Sequence, residues 1–312
     1  KMHIVDSSIY LLDGDVNNRK LLYFKTSGKF VRRTNRGKGP GEFLYLSDFF
    51  FDKTSDHFLA LALMRSKLVK LDRNLNLIEE HTISTGEVVD HFAKLDNGHW
   101  IVNKPYADRP PIGDFYYFGI SQSHEFKDIF RYDFELPYSL KYYHLRDPIS
   151  RHYDETIKVS IPMDMNIYEV SQDSFSVAYR FNFGEFGLPK NLYRGKSNEE
   201  FFSILNSSEY VSGINKVIET SEYLAFEFVW KQQIEYLILN RKTVKYLTSI
   251  ELEDAGVLPD GELMTIDSDG HFVIKSNPEI FNLWYKESKP FDPLPRAKNY
   301  GNDVLTVFRL DI

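Results

Sequence analysis

The chain has 312 residues, 42% hydrophobic and 27% charged, an ordinary globular balance with enough apolar material for a real core. A formal charge of −7 with scattered basic residues lacks the electrostatic footprint of a nucleic-acid binder, and no apolar run approaches the roughly 18 residues of a membrane-spanning helix. The absence of cysteine excludes disulfides, thiolate metal sites and a cysteine nucleophile.

The 25 Phe, 20 Tyr and 3 Trp favour pleated, half-buried surfaces and point to an all-β chain. Gly and Pro are spread without a low-complexity linker, so residues 1–312 read as one domain. The start, KMHIVDSSIYLLD, enters a strand pattern almost at once, as if an upstream leader had been removed, which fits an exported protein.

In chain order, a repeat emerges. SSIYLLD at 7–13 and SDHFLAL at 55–61 are short apolar strands opened by turn-formers; KLLYFKTSGKF at 20–30 then matches KLVKLDRNLNL at 67–77. Both of the latter contain a strand, a tight turn at Ser27-Gly28 or Asn74-Leu75-Asn76, and a return strand. A looser third copy has GHWIVN at 98–103, a long insert, and FYYFGISQSHEFKDIF turning near Ser123. NIYEVSQDSFSVAYRFNFG at 166–184 and EYLAFEFVWKQQIEYLILNRKTVKYLTSI at 222–250 keep the rhythm. DGELMTIDSDGHFVIKS at 260–276 and the closing strand NDVLTVFRL at 302–310 make a sixth unit. Six units predict a six-bladed β-propeller of four-stranded antiparallel blades, closed by pairing the N-terminal strand with blade six. The one helix expected is SNEEFFSILNSS at 197–208, capped by Ser197 or Asn198, on a loop between blades four and five.

RGKGPGEF at 36–43 places three glycines and a proline in eight positions. A phosphate loop needs a Ser or Thr after its Lys and a following helix, whereas Lys38 is followed by glycine and the chain continues into FLYLSDFFFD, a strand. The segment therefore reads as backbone geometry, with Gly37, Gly39 and Gly41 supplying angles closed to other residues, Pro40 stiffening the crossing and Glu42 ending it.

The order IYLLD (9–13), NRKLLYF (18–24), SGKFVRR (27–33), RGKGPGEF (36–43) and FFFD (49–52) resembles NHL-type propeller repeats. It is still more similar to bacterial cell-envelope six-bladed β-propellers, whose link from blade one to blade two carries a GxGPGE motif. IYEV with YRFNFG and LP over 167–189, the strand YLAFEF and the final DVLTVFRL agree with it. The resemblance implies the fold, and an exported, periplasmic or outer-membrane-associated lipoprotein; it leaves the biochemical role open.

No catalytic constellation appears. The nine histidines include no HExxH and no pair at the spacing of a helical zinc site, there is no GxSxG elbow, and no cofactor is implied. An alternative reading places a divalent cation on the propeller axis of a hydrolase or lyase, with Asp13, Asp52, Asp90 and Glu169 as its acids, although strand-end aspartates more simply cap turns. The most distinctive remaining stretch is PYSLKYYHLRDPISRHYDE at 137–155, read as one long loop presenting Tyr142, Tyr143, His144, Arg146 and His152. The insert KPYADRPPIGD at 104–114 adds Tyr106 and Arg109. Loops on rigid scaffolds carry function, and aromatics with polar tips suit sugar or peptide faces. The expectation is a non-catalytic binding or scaffold module for a glycan, peptide or protein partner.

Overall fold

The computed structural model describes the chain except residues 13–18, 38, 40, 63–66, 84–88, 104–117, 127–128, 133–146, 152–154, 162, 173, 193–195, 208, 232, 255–260, 267–269, 277–303 and 310–312. The described residues form an all-β propeller of small antiparallel sheets. The first sheet is β1 (Met2–Val5), β2 (Ser8–Leu12), β3 (Leu21–Lys25) and β4 (Phe30–Arg33); the second is β5 (Leu46–Asp52), β6 (His57–Ala62), β7 (Lys67–Leu71) and β8 (Leu77–Thr82). The third is β9 (His91–Lys94), β10 (Trp100–Asn103), β11 (Phe118–Ser121) and β12 (Ile129–Tyr132). The fourth is β13 (Ile149–Arg151), β14 (Ile157–Ser160), β15 (Asn166–Val170) and β16 (Phe175–Arg180). The fifth is β17 (Val211–Glu219), β18 (Tyr223–Trp230), β19 (Gln233–Asn240) and β20 (Tyr246–Thr248). The last holds only β21 (Gly261–Ile266), β22 (His271–Ser276) and β23 (Val304–Arg309). The expected six four-stranded blades are thus corrected to five, with a three-stranded sheet beside them among the described residues.

Strand alternation builds the core between blades, because successive side chains point to opposite faces. Phe49, Phe51, Phe58 and Ala60 face the first sheet and pack with Tyr10, Leu21 and Tyr23. Phe50, Leu59 and Leu61 face the third and meet Phe92, Trp100 and Val102. Burying each such ring contributes about 1.5–3 kcal/mol. Similar layers join the third sheet to the fourth, the fourth to the fifth and the fifth to the last. Met264 and Val273 of the last sheet pack on Met2 and Ile9 of the first. The ring closes there by side-chain packing. This corrects the expected strand exchange: β1 pairs with β2, from Met2 opposite Leu11 to Val5 opposite Ser8, in its own blade.

The first strand of each sheet lies innermost, since β5 touches β9, β9 touches β13, β13 touches β17, β17 touches β21 and β21 touches β1. The predicted helix is present as α1 (Asn198–Ser207), between the fourth and fifth sheets. Its start is a capping box: the Glu200 backbone N–H donates to Ser197 Oγ at 3.2 Å, and the Ser197 N–H donates to Glu200 Oε2 at 2.8 Å. A second helix, α2 (Ser249–Asp254), replaces the strand expected to run to Ile250. Its signal was the TSIE pattern, since the Thr248 N–H donates to Glu251 Oε2 at 2.8 Å.

Candidate functional site

Antiparallel alternation sorts the connections onto two ends of the ring. Links from first to second strand and from third to fourth share one end; links from second to third strand and from each blade to the next share the other. Between the described strands, no connection at the first end exceeds the seven residues between Ser121 and Ile129, and the shortest is the pair between Val5 and Ser8. Every longer connection leaves from the second end, including 34–45, 104–117, 133–148, 181–210 with α1, 249–260 with α2, and 277–303.

The inserts of the third blade share a base. Asn103 pairs with His91 and Phe118, and Phe118 pairs with Tyr132, so the stretches 104–117 and 133–148 spring from one row of residues. His91 opens an innermost strand, so that row ends at the axis.

The axis at this same end carries a buried charge cluster. The Lys1 ammonium lies 2.9 Å from Asp48 Oδ1 and 3.3 Å from Asp147 Oδ1. Asp48 accepts the Phe49 backbone N–H at 2.8 Å and the Phe92 N–H at 3.1 Å, and His91 Nδ1 stands 3.6 Å away. Burial would raise the Asp48 pKa, but the Lys1 charge and the His91 contact outweigh it and hold it well below the usual carboxylate range. Asp147 is likewise lowered, burial being overcome by Lys1 and Lys216. Burial acts the other way on the Lys1 side chain, yet Asp147 and Asp48 raise it. The Lys1 side chain and both aspartates therefore stay charged at neutral pH.

Beyond this cluster runs a cavity of about 160 Å3 lined by all the innermost strands. His3 stands edge-on to Phe49 at 4.9 Å, and burial, then the nearby Lys1 charge, push its pKa down to about 4. Lys216 donates to the carbonyls of Leu263 at 3.0 Å and Met264 at 3.1 Å, tying β17 to β21.

The residues expected from sequence are distributed differently. Tyr106, Arg109, Tyr142, Tyr143, His144, Arg146, His152, Pro40 and Asp13 lie outside the described residues. The stretch 137–155 is not one loop, because β13 runs through it. Its residues before Ile149 belong to the link from the third blade, whereas His152 belongs to the link that leaves β13 at the opposite end. Asp52 pairs with Lys94 at 3.0 Å at the tight-turn end; Asp90 precedes β9 at the other; Glu169, on the third strand of its blade, is 3.7 Å from Lys158. The structure does not bring these acids together.

The glycine segment links β4 to β5 and wraps its own acid. Glu42 Oε2 accepts the Gly39 N–H at 2.9 Å, and a Cβ at Gly37 would lie 2.0 Å from that oxygen. Gly41 has φ +71°, a left-handed angle that favours glycine. The sequence reading missed Lys1, His3, Asp48, Asp147 and Lys216. Their signal was a charge interrupting an apolar strand, as in LSDFFFD and VSGINKVIE.

Against known proteins, a family model described as "Domain of unknown function (DUF4934)" matches residues 1–309. No curated protein matches the chain. Among solved structures, a candidate exported protein of Bacteroides fragilis NCTC 9343 aligns with a TM-score of 0.79 at 20% identity, over 99% of this chain and 90% of that chain. A member of the duf4221 family from Bacteroides vulgatus ATCC 8482 aligns with a TM-score of 0.53 at 10% identity, over 99% and 92%. At these identities the likeness speaks to the fold alone.

Proposed function

We propose a binding role for this chain, which belongs to the family of domains of unknown function DUF4934: a non-catalytic recognition or scaffold propeller of the bacterial cell envelope. The observation that supports it is the asymmetry of the ring, whose longer connections and both helices leave from one end, around the charged mouth of the axis. On this reading the chain is a single domain whose three-stranded sheet counts as a sixth blade. Its partner is a glycan, peptide or protein contacted by Tyr106, Arg109, Tyr142, Tyr143, His144 and Arg146. His152, on a link from the opposite end, is assigned no part in that contact. Supporting an envelope location are the export named for the Bacteroides fragilis relative and the resemblance of the GKGPGE segment. Residence as a periplasmic or outer-membrane lipoprotein belongs to the same proposal.

Of the acids of the alternative metal-dependent reading, the described Asp52, Asp90 and Glu169 are dispersed, and the axial carboxylates Asp48 and Asp147 already face an ammonium group. A combined glycan and peptide array tests the binding reading. It should return a ligand class whose signal falls at least tenfold in Tyr142→Ala and Tyr143→Ala. An array without hits, or hits indifferent to both substitutions, would overturn the proposal.

A further inference from the structure

The axial cavity has more room and more unmet polarity than a structural channel needs. A volume of about 160 Å3 holds on the order of ten waters. Three polar groups in its wall have capacity left. His3 Nε2 is buried without a hydrogen-bond partner among the described residues, so the ring has a nitrogen left to donate or accept. Asp147 Oδ1 is buried with no hydrogen-bond partner beyond its ion pair with Lys1, although a carboxylate accepts several. Lys216 uses two of its three N–H groups on backbone carbonyls. An acceptor on Asp147, a donor on Lys216 and a His3 nitrogen of either kind belong to residues lining one space, whose remaining wall is largely apolar, with Phe51, Ile149 and Met264 among its members.

Charge narrows the ligand class. Asp48 and Asp147 both face the Lys1 ammonium, Lys53 pairs with Glu155 at 2.5 Å, and Lys216 sits on two backbone carbonyls, so the two axial lysines are matched in number by two aspartates. A wall so balanced gives an ion no net attraction, while desolvating one is costly. Hydroxyl groups both donate and accept, so they match the mixed set, and the C–H faces of a sugar ring match the apolar wall.

We propose that the axial cavity is a binding site for an uncharged polyol of monosaccharide size, held by His3, Asp147 and Lys216. This site is separate from the recognition assigned to the rim residues Tyr106, Arg109, Tyr142, Tyr143, His144 and Arg146, although Asp147 ends one of the long connections. It stands if the rim contacts fail, and the rim contacts stand if it fails.

The test is calorimetric titration of the full chain with glucose, galactose and N-acetylglucosamine at up to tens of millimolar, and with glycine as a zwitterion of smaller size. At least one sugar should bind and glycine should not. Replacing a charge-assisted hydrogen bond by a neutral one predicts about tenfold weaker binding in Asp147→Asn. Because that change also alters the Lys1 ion pair, Thr265→Phe is the second variant; it fills the cavity from β21 while leaving every charged side chain in the sequence unchanged, and should abolish binding while circular dichroism shows the fold retained. Rim variants Tyr142→Ala and Tyr143→Ala should leave sugar affinity unchanged. No sugar binding by the folded wild type, binding of glycine instead, or sugar affinity indifferent to Thr265→Phe would each overturn the proposal.

Discussion

The two ends of the ring close their connections differently. At the tight-turn end several hairpin turns close on their own residues: Asp72 Oδ1 accepts the N–H groups of Asn74 and Asn76 at 2.8 Å each, Leu75 takes φ +60°, and Gly28 takes φ +80°, while ion pairs such as Lys158 with Glu219 at 2.9 Å tie the blades together beneath them. At the other end the fixing contacts come from distant parts of the chain. Lys1 meets Asp48 and Asp147, and the Gly41 N–H lies 3.4 Å from Glu80 Oε1. Locally determined turns leave little freedom to vary. An end held through its innermost strands can carry long connections without disturbing the blades, and that is where recognition can be built.

The strongest way to break this contrast is Asp48→Ala. It leaves the buried Lys1 ammonium and the Phe49 and Phe92 N–H groups short of a partner and should cost about 3–5 kcal/mol, read from the denaturant midpoint. A loss below about 1 kcal/mol would show that the axial cluster does not hold that end.

Acid sharpens the same point. The folded His3 value of about 4 lies below its ordinary 6.5, so between those pH values the unfolded chain binds the extra proton. Stability should fall by about 2.5 kcal/mol as pH drops from 6.5 to 4, and His3→Phe should flatten that limb. Below pH 4 protonation of Asp48 and Asp147, whose folded values are depressed, should remove more. Melting temperatures across this range, in wild type and variant, measure it; identical slopes would refute the role given to His3.

Among the glycines, Gly41→Val should cost about 1–3 kcal/mol, because a Cβ there is 3.3 Å from Leu77 Cβ at φ +71°. At the tight-turn end Gly28→Ala meets nothing within 4 Å and should cost only about 1 kcal/mol, from its positive φ. Thermal melts that rank the two the other way would contradict the geometry. Smallest is Arg73→Ala. The guanidinium bridges Asp6 and Asp56 at the tight-turn end with side chains 42%, 73% and 59% exposed, so the loss should stay below about 1 kcal/mol and shrink further in added salt.

What the sequence made legible follows the same division. The hairpins around Ser27-Gly28 and Asn74-Leu75-Asn76, and the capping box at Ser197 and Glu200, are local patterns with local partners. The three-residue strand β13 was hidden because ISR is too short to show alternation, and so 137–155 read as one loop. Ring closure was misjudged because an innermost strand and an exchanged outer strand look alike in sequence until their partners are known. The axial site needed residues as far apart as Lys1, Asp147 and Lys216, which only the closed ring brings together. The helix at Ser249–Asp254 is different: its TSIE signal was present, and the strand rhythm before it masked it.

The most direct test of the division is amide hydrogen exchange on the full chain, with and without the ligand returned by the array. Binding should slow exchange in 104–117 and 133–148 and leave the turns 72–76, 95–99 and 220–222 unchanged. Protection confined to those turns would contradict the assignment of recognition to the end with the long connections.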